Sequence, residues 1–257
     1  MTSDEELRAR VWRCLRHETW LFGSGSETSR VFELPGLLAS VNPAAPDRSI
    51  FNWVVPESSR AVLDAYDVLA ETYARAGVRA WTVWGDAADR ELGDALGRRG
   101  HVLDAKPMAM GADLAELTLP DVGDLEWAET DDVPLVSAIN DAAFGFPPPA
   151  FAAAFVRVAQ PRWRCYLGYL QGRPVATVLT HESDEGDCGV NLVATLPEAR
   201  GHAIAPRLLT VALGRARDRG ARTTTLQATS KGRPVYERLG YRTLGALAMW
   251  EHRVASP

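Results

Sequence analysis

The chain has 257 residues, a formal net charge of −5, 46% hydrophobic residues and 24% charged residues. Such a composition is typical of a globular protein, and the length suits one large α/β domain or two domains of about 120 residues. The negative charge excludes a strongly basic nucleic-acid-binding body, and no apolar run approaches the roughly 20 residues of a membrane span. The acidic, polar start MTSDEELRAR lacks the regions of a signal peptide.

The cysteines are few and scattered. Cys14, Cys165 and Cys188 form no CxxC pair. An odd, dispersed set predicts neither a disulfide framework nor a structural zinc site, so we expect no metal centre. No histidine stands in a recognisable arrangement with a cysteine nucleophile either. The expectation is a reducing, cytoplasmic setting.

A turn-rich stretch, LTLPDVGDLEW at 117–127, separates two unequal halves. Proline, glycine and aspartate favour turns, so the sequence predicts two domains, 1–120 and 121–257. Aligning Gly77 with Gly220 places AGVRAWTVWGDA (76–87) over RGARTTTLQATS (219–230), each between two predicted helices. This echo indicates a duplicated fold with a degenerate first copy, although unrelated helix–strand–helix units can match as well.

The second half begins with a regular pattern of elements. DLEWAE predicts a strand, and Thr130 or Asp131 caps a helix that reaches about Phe144. After a proline-rich break, FAAAFVRVA (151–159) predicts a second helix. RWRCYLGYL and RPVATVLTH then predict two strands, joined as a hairpin by Gln171-Gly172.

The last elements complete an α/β pattern. CGVNLVAT predicts a strand, and a long helix follows with Pro206 in its first turn, where a missing N–H is harmless. Gly220 ends this helix, and a strand, a short helix and closing strands come after it. The order β-α-α-β-β-β-α-β-α-β predicts a mixed sheet with helices on both faces.

The loop RGHAIA, residues 200–205, lies between a predicted strand and the long helix. Backbone N–H groups and the positive end of the helix dipole converge at such a point and attract phosphate. Arg200 adds positive charge. The further arginines between 207 and 222 either face a polyanionic ligand or cover a solvated helix face.

The strand–RGHAIAPRLL–helix stretch resembles motif A of the GNAT N-acetyltransferase superfamily, Arg/Gln-x-x-Gly-x-Gly/Ala, with Arg200 first and Ala205 last. Ala203 stands where the family usually has glycine, and its methyl hinders close backbone approach or limits positive φ. His202 replaces a frequent arginine or lysine. VYERLGYR resembles the family's Tyr-x-x-Leu-Gly-Phe element. The resemblance covers about residues 125–253 and implies an α/β (α+β) fold, a mixed twisted sheet of the acyl-CoA N-acyltransferase type in two copies, the first degenerate.

The resemblance also implies acetyl-CoA as co-substrate, bound where the strands ending at Thr195 and Thr229 splay apart. A backbone N–H near Val193 would polarise the thioester carbonyl. Tyr236 would protonate the departing thiolate, since a phenol pKa of ~10 is close to that of a thiol. Asn191 would hold a water. The cofactor-binding positions are Val193, Ala194, Thr195, Arg200, Gly201, His202, Ala203, Ile204 and Ala205.

The general base stays open at this stage. His181, Glu182 and Asp187 flank the strand before the loop, but they belong to a hairpin turn where solvated charge is the default. Glu126 and Glu129 are equally unassigned. No one of these five acids and bases is favoured by the sequence over the others.

The function predicted is transfer of an acyl group, acetyl above all, from acyl-CoA to a primary amine of a small molecule or peptide. The first half would shape the acceptor pocket or pack against the catalytic domain, and Trp81 and Trp84 on its strand are more typical of a core or an interface. We expect no nucleic-acid or membrane partner, and two copies could pair through the last strands. The alternative is a non-catalytic CoA-binding sensor or interaction protein, favoured by Ala203 and the missing base; a purely structural dimerisation protein is a third possibility.

Overall fold

A computed structural model of the protein describes residues 1–157 and 162–254. These residues form eight α-helices and a twisted sheet of 12 strands, so the fold is mixed α/β as predicted. No helix among them is long and apolar enough to cross a membrane. The helices are α1 (Asp4–Gly23), α2 (Ser59–Asp64), α3 (Tyr66–Arg75), α4 (Arg90–Gly97), α5 (Val133–Phe144), α6 (Ala150–Ala154), α7 (Ile204–Asp218) and α8 (Arg233–Leu239). The strands are β1 (Arg30–Leu34), β2 (Leu37–Val41), β3 (Trp53–Pro56), β4 (Ala80–Asp86), β5 (Val102–Ala105), β6 (Met108–Asp113), β7 (Trp127–Thr130), β8 (Trp163–Leu170), β9 (Arg173–Glu182), β10 (Asp187–Thr195), β11 (Thr223–Ala228) and β12 (Arg242–Arg253).

The sheet is continuous across both halves of the chain. Its strand order is β1-β2-β3-β4-β12-β6-β11-β10-β9-β8-β7, and β5 also pairs with β12. Most neighbours are antiparallel, but β3 with β4 and β10 with β11 are parallel. Each parallel pair is connected through helices, as parallel strands require. One such pair therefore lies in each half.

The internal repeat predicted from the sequence is visible in the element boundaries. β4 begins at Ala80 and β11 at Thr223, while α4 begins at Arg90 and α8 at Arg233, so both pairs coincide when the two halves are aligned as predicted. The helix–strand–helix unit is thus confirmed as occurring twice. In the first copy Gly93 takes the place of Tyr236, and a Cβ there would meet the Trp250 ring. The ring fills the volume that a side chain at position 93 would need.

Two strands cross between the halves. β6 belongs to the first half by sequence, yet it pairs antiparallel with β11 and with the start of β12. The end of β12 in turn pairs with β4 and β5. Each half therefore completes its sheet with a strand supplied by the other. The predicted boundary near residue 120 lies in the chain between these exchanged strands, and the division into domains stays a prediction.

The position of β12 corrects one expectation. Because β12 is paired on both sides, with β6 and β4 as neighbours, it presents no free edge for a second copy. Pairing of two copies through the last strand is therefore wrong. The outermost strands are β1 and β7, and an added strand would have to join there.

Most elements predicted for the second half are confirmed. α5 is capped by the side chain of Asp132, one residue later than expected, and it ends at Gly145 in the left-handed conformation. α6 is shorter than the predicted helix over 151–159, because it stops at Ala154 and the Phe155 carbonyl instead accepts from Ser137. Residues 158 and 159 lie outside the described residues. The closing strands are a single strand, β12, bent at Gly245 (φ 104°).

Helix α1 packs across the seam between the halves. Its side chains contact both β6 and β11 on one side and β2 and β3 on the other. Ser3 caps its first turn and Asp4 begins an acidic start, both of which stabilise a helix N-terminus. Apolar residues of α1 and of α5 belong to the same buried cluster. The helix therefore fixes residues 1–23 against the second half as well as the first.

Candidate active site

A cleft opens where β10 and β11 separate. The two strands pair in parallel only as far as Val190 with Leu226. Beyond that point β10 bulges, with a register shift against β9 between Asn191 and Ala194 and a positive φ of 45° at Leu192. A bulge removes backbone groups from the ladder and turns the strand. Residues 192 and 193 thereby leave the regular ladder and line the cleft, while the Leu192 carbonyl accepts from the Thr177 hydroxyl on β9 (2.9 Å).

The loop after β10 exposes a group of backbone donors. Gly201 and Ala203 both have positive φ, 85° and 53°. Among the residues that the structure describes, none accepts a hydrogen bond from the N–H groups of residues 201–205. These groups include the first amides of α7, where the helix dipole favours negative charge. The loop thus has the geometry of an anion site, as the sequence predicts.

Two polar side chains of the loop make local contacts. Arg200 donates from Nε to the Thr195 carbonyl (3.3 Å) and from a terminal nitrogen to the Ala143 carbonyl (2.9 Å), near the end of α5. His202 is exposed, and its Nδ1 lies 3.3 Å from the Ala199 carbonyl. The Arg200 guanidinium is therefore held beside α5 and away from the loop amides. A ligand would reach it only after this contact is exchanged.

The arginines of α7 and its flanks stabilise the fold. Arg207 donates to the Val122 carbonyl (2.8 Å) and pairs with Asp124 (2.6 Å). Arg215 lies over the Trp127 ring. Arg219 pairs with Glu182 at 2.5 Å. These three side chains hold neighbouring segments together. They therefore do not fit the alternative in which the arginines face a polyanionic ligand.

A cavity of about 250 Å³ lies at the bulge, and both predicted catalytic residues line it. Tyr236 extends from α8 and is 9% exposed, and Asn191 from β10 is 5% exposed. Burial raises the pKa of Tyr236 well above that of a free phenol. Tyr236 therefore keeps its proton near neutral pH. Its pKa is well above that of a thiol, whereas the sequence led us to expect similar values. It is suited to donate a hydrogen bond more than to ionise.

The cofactor-binding residues predicted on β10 differ in what they can offer. Val193 lines the cavity. The Ala194 side chain is buried against the sheet, so it has only backbone groups to contribute. The Thr195 carbonyl accepts from Arg200. Ile204 is likewise buried, packing against Gly168 on β8, and contributes its N–H alone.

The general-base candidates from the sequence lie elsewhere. His181 and Asp187 are in strands and buried, so the prediction that they are solvated turn residues is wrong. His181 stacks on His17 with centroids 4.0 Å apart, and burial lowers its pKa to about 3. The Asp187 oxygens accept from Thr223 and Thr225 at 2.6 Å. Glu182 is paired with Arg219, and none of the three lines the cavity.

The two acids at the sheet edge are also remote. Glu129 lies on β7 and pairs with Arg164 at 3.2 Å. Glu126 is exposed beside the same strand. β7 is the outermost strand, three strands away from β10. Neither acid is placed to contact a group at the bulge.

One acid that sequence reasoning missed does line the cavity. Glu18 is on α1 and 5% exposed, and burial raises its pKa to about 8. The signal was present in the sequence: Glu18 lies one turn after Cys14 and one turn before Phe22, on the buried face of an amphipathic helix. A carboxylate on such a face is a candidate for a functional role, because burying it without a partner costs free energy.

The first half contains a second, larger cavity of about 580 Å³ at the corresponding place. It lies beside the ends of β3 and β4, which pair in parallel only over Trp53 with Thr82 and Val54 with Val83. Its walls carry charges of both signs, three carboxylates (Glu57, Asp86 and Asp89) and two arginines (Arg13 and Arg16). Size alone would favour this cleft, but the first copy has Gly93 in place of Tyr236, and the Trp250 ring fills that position, which favours the second half as the cofactor site.

Comparisons with known proteins agree with this geometry. The family model described as "Acetyltransferase (GNAT) family" matches residues 127–241. Residues 127–241 belong to the GNAT acetyltransferase family. The matched segment contains the bulge, the loop and Tyr236. The chain therefore contains a GNAT-type acetyltransferase domain over these residues.

Solved structures resemble nearly the whole chain in fold. A GCN5-related N-acetyltransferase from Kribbella flavida is 18% identical, with a TM-score of 0.68 over 95% of this chain and 96% of that one. One from Sphaerobacter thermophilus is 17% identical, with a TM-score of 0.54 over 86% and 81%. A tandem GNAT protein from the clavulanic acid biosynthesis pathway is 12% identical, with a TM-score of 0.57 over 97% and 96%. No curated protein matches the sequence.

Proposed function

We propose that the chain is an N-acetyltransferase that moves the acetyl group of acetyl-CoA to the primary amine of a small molecule by direct attack. One observation supports this proposal: backbone amides that have no acceptor lie beside the place where β10 and β11 separate. The N–H groups of residues 201–205 have no acceptor among the described residues, and the β10 bulge beside them opens onto the cavity with Tyr236.

The residues present fit the parts of an acyl-CoA. The loop amides offer several donors to a diphosphate, together with the dipole of α7. The backbone of Val193 at the bulge can pair with an extended amide-containing arm, as an added strand would, whereas the Leu192 carbonyl already accepts from Thr177. Acetyl-CoA supplies an activated thioester carbonyl. The chain then needs only to orient it, stabilise the oxyanion and manage two protons.

Tyr236 is assigned the proton that the sulfur receives. Its hydroxyl has no hydrogen-bond partner among the described residues, although the side chain is buried and lines the cavity. A hydroxyl that faces the cavity is free to donate to a ligand there. Since burial keeps Tyr236 protonated, it can donate to a thiolate as negative charge develops there. Asn191 lines the same cavity, where its amide can hold a water.

The test measures CoA thiol release from acetyl-CoA with a panel of primary amines, and acetylated product by mass spectrometry. Turnover that is lost in Tyr236→Phe, with CoA affinity unchanged, supports the proposal. CoA binding without turnover on any amine would instead support a non-catalytic CoA-binding protein. Two observations favour that second candidate: Ala203 carries a methyl at a left-handed position, and Arg200 is held by the Ala143 carbonyl. Absence of both binding and turnover would contradict both.

A further inference from the structure

The cavity at the bulge is built by both halves of the chain. Its floor is the β10 bulge with the end of β11, and Tyr236 closes one side. The opposite walls come from the first half and from the segment after α5. These wall residues are Glu18, Ile50, Trp53, Trp84, Pro107, Phe144 and Phe146. Residues of the first half thus line the same cavity as the bulge and Tyr236.

Glu18 is the one charged residue among those that line this cavity. Its Oε2 is buried and has no hydrogen-bond partner among the described residues. Cys14, one turn earlier on α1, places this face of the helix at the bulge, since its sulfur lies 3.9 Å from Asn191 Oδ1. Tyr236 is the other titratable residue that lines the cavity, and Cys14 lies one turn away on α1. Burial alone raises the pKa of Glu18, with no contribution from a nearby cation.

Because no cation lies beside it, the buried Glu18 side chain holds its proton up to a pH of about 8, and a cation from outside the protein would stabilise its ionised form. The surrounding walls are aromatic: the Trp53 and Trp84 rings are 5.0 Å apart, and Phe144 and Phe146 are 6.1 Å apart. Aromatic faces attract cations and pack against apolar groups. The combination of one unpaired acid and an aromatic enclosure matches an ammonium group on an apolar body.

Three further polar atoms around the cavity lack partners among the described residues. They are Trp53 Nε1, Trp84 Nε1 and Gln227 Nε2, all of them donors on cavity-lining residues. Buried polar groups are satisfied in the great majority of cases, so a cluster of exceptions indicates an absent ligand or ordered water. Four such atoms, counting Glu18 Oε2, belong to residues around one cavity. This clustering is independent of the family resemblance.

We propose that Glu18 binds the ammonium group of the acceptor and removes its proton, and that the acceptor is a small primary amine with an apolar, aromatic-sized body. This inference rests on the proposed acetyl transfer. It assigns to the first half a catalytic residue that acts on a cofactor bound to the second half.

Protons and electrons balance across the transfer. The acceptor enters as R–NH3⁺, and one N–H bond breaks as its proton moves to the Glu18 carboxylate, which leaves a nitrogen lone pair. That pair forms the N–C bond to the thioester carbonyl carbon, and the C–S bond then breaks with its electrons going to sulfur. The sulfur takes the Tyr236 phenol proton as the phenol oxygen takes the excess proton of the new amide nitrogen, so no free phenolate forms. The proton on Glu18 passes to solvent after product leaves.

The first test measures binding and needs no turnover. In the presence of saturating CoA, 2-phenylethylamine is titrated against the protein at pH 9, where Glu18 is ionised and the amine is still largely protonated, and compared with 2-phenylethanol, its neutral isostere. We expect a thermal shift with the amine that is at least several-fold larger than with the alcohol, and we expect Glu18→Gln to abolish this preference. Equal shifts with amine and alcohol, or an amine preference that survives in Glu18→Gln, would overturn the role of Glu18.

The second test uses the pH dependence of kcat/KM for acetylation. The parent should show a rising limb with a midpoint near 8, which Glu18→Gln lacks while losing activity by about 100-fold or more. Glu18→Asp should recover part of the rate, since it keeps the acid but shortens its reach. Asp187→Asn is the matched control: it removes another buried carboxylate, outside the cavity, and should keep the limb.

The outcomes separate the two proposals. If the parent acetylates amines and Glu18→Gln does so equally well with the same pH profile, acetyl transfer stands and the role of Glu18 is refuted. If the parent binds CoA but acetylates no amine, the proposed function fails; Glu18-dependent binding of 2-phenylethylamine would then still support a cationic ligand site. Circular dichroism and unchanged CoA affinity of Glu18→Gln show that the variant is folded.

Discussion

Ala203 is the residue at which sequence and geometry make the sharpest quantitative prediction. It stands at the N-cap of α7 with φ 53° and ψ 25°, and its side chain makes no capping bond. The left-handed conformation costs a residue with a Cβ about 1–2 kcal/mol, whereas glycine adopts it freely. Glycine in turn loses about 0.4–1 kcal/mol more on folding, because its unfolded state is more flexible. Ala203→Gly should therefore stabilise the protein by about 0.5–1 kcal/mol.

That gain corresponds to a rise in Tm of about 1–4 °C for a chain of this size. Removing the methyl also lets the loop amides approach a diphosphate more closely, so CoA affinity measured by calorimetry should improve about 2- to 5-fold. Ala205→Gly is the control, since position 205 is in the right-handed first turn of α7. There glycine should destabilise by up to about 1 kcal/mol. A lower Tm for Ala203→Gly, weaker CoA binding, or the same gain at position 205 would refute the strain argument.

Three further predictions follow from the site and the fold. Tyr236→Phe should lower kcat by about 100-fold or more while calorimetry shows unchanged CoA affinity, because the hydroxyl makes no bond within the described residues; retained kcat would contradict its role. Glu18→Gln should stabilise the protein increasingly between pH 4.5 and about 8, by roughly 2–4 kcal/mol at the upper end, because the native state holds a proton that the unfolded state has lost across this window. Urea unfolding at several pH values measures this, and a difference that does not grow with pH would be inconsistent with an unpaired buried acid. Residues 121–257 expressed alone should show no cooperative thermal transition, because β11 and β12 would lack β6; a sharp melt would show that the exchanged strand is dispensable.

Local patterns were sufficient to predict the loop and its neighbours. The turn at Gln171-Gly172, the helix start after Ala203 and the glycine end of α7 all depend on residues close in sequence. The same holds for the repeat, because aligning Gly77 with Gly220 compares units whose structure is set by their own helical and strand periodicity. The positive φ at position 203 was also foreseeable, since the family pattern has glycine there.

Long-range features were not predictable in the same way. The exchange of β6 and β12 between the halves depends on which strand edges are free for pairing. No residue pattern within either strand indicates these partners. Glu18 and Asn191 lie in opposite halves of the sequence, yet both line one cavity. The sequence indicates that Glu18 lies on the apolar side of a helix. It does not indicate which residues of the other half that side contacts. The direction of Arg200 likewise depends on where the carboxyl end of α5 lies.

Every functional assignment depends on one site, in which the cofactor binds to the backbone amides of residues 201–205 and to the adjacent bulge. The direct test is a titration of 15N-labelled protein with CoA, followed by amide chemical shifts. We predict saturable shifts at Gly201, His202 and Ile204 and at Leu192 and Val193, with little change at the larger cleft of the first half. Shifts confined to that cleft, or none in the loop at saturating CoA, would contradict this placement of the cofactor.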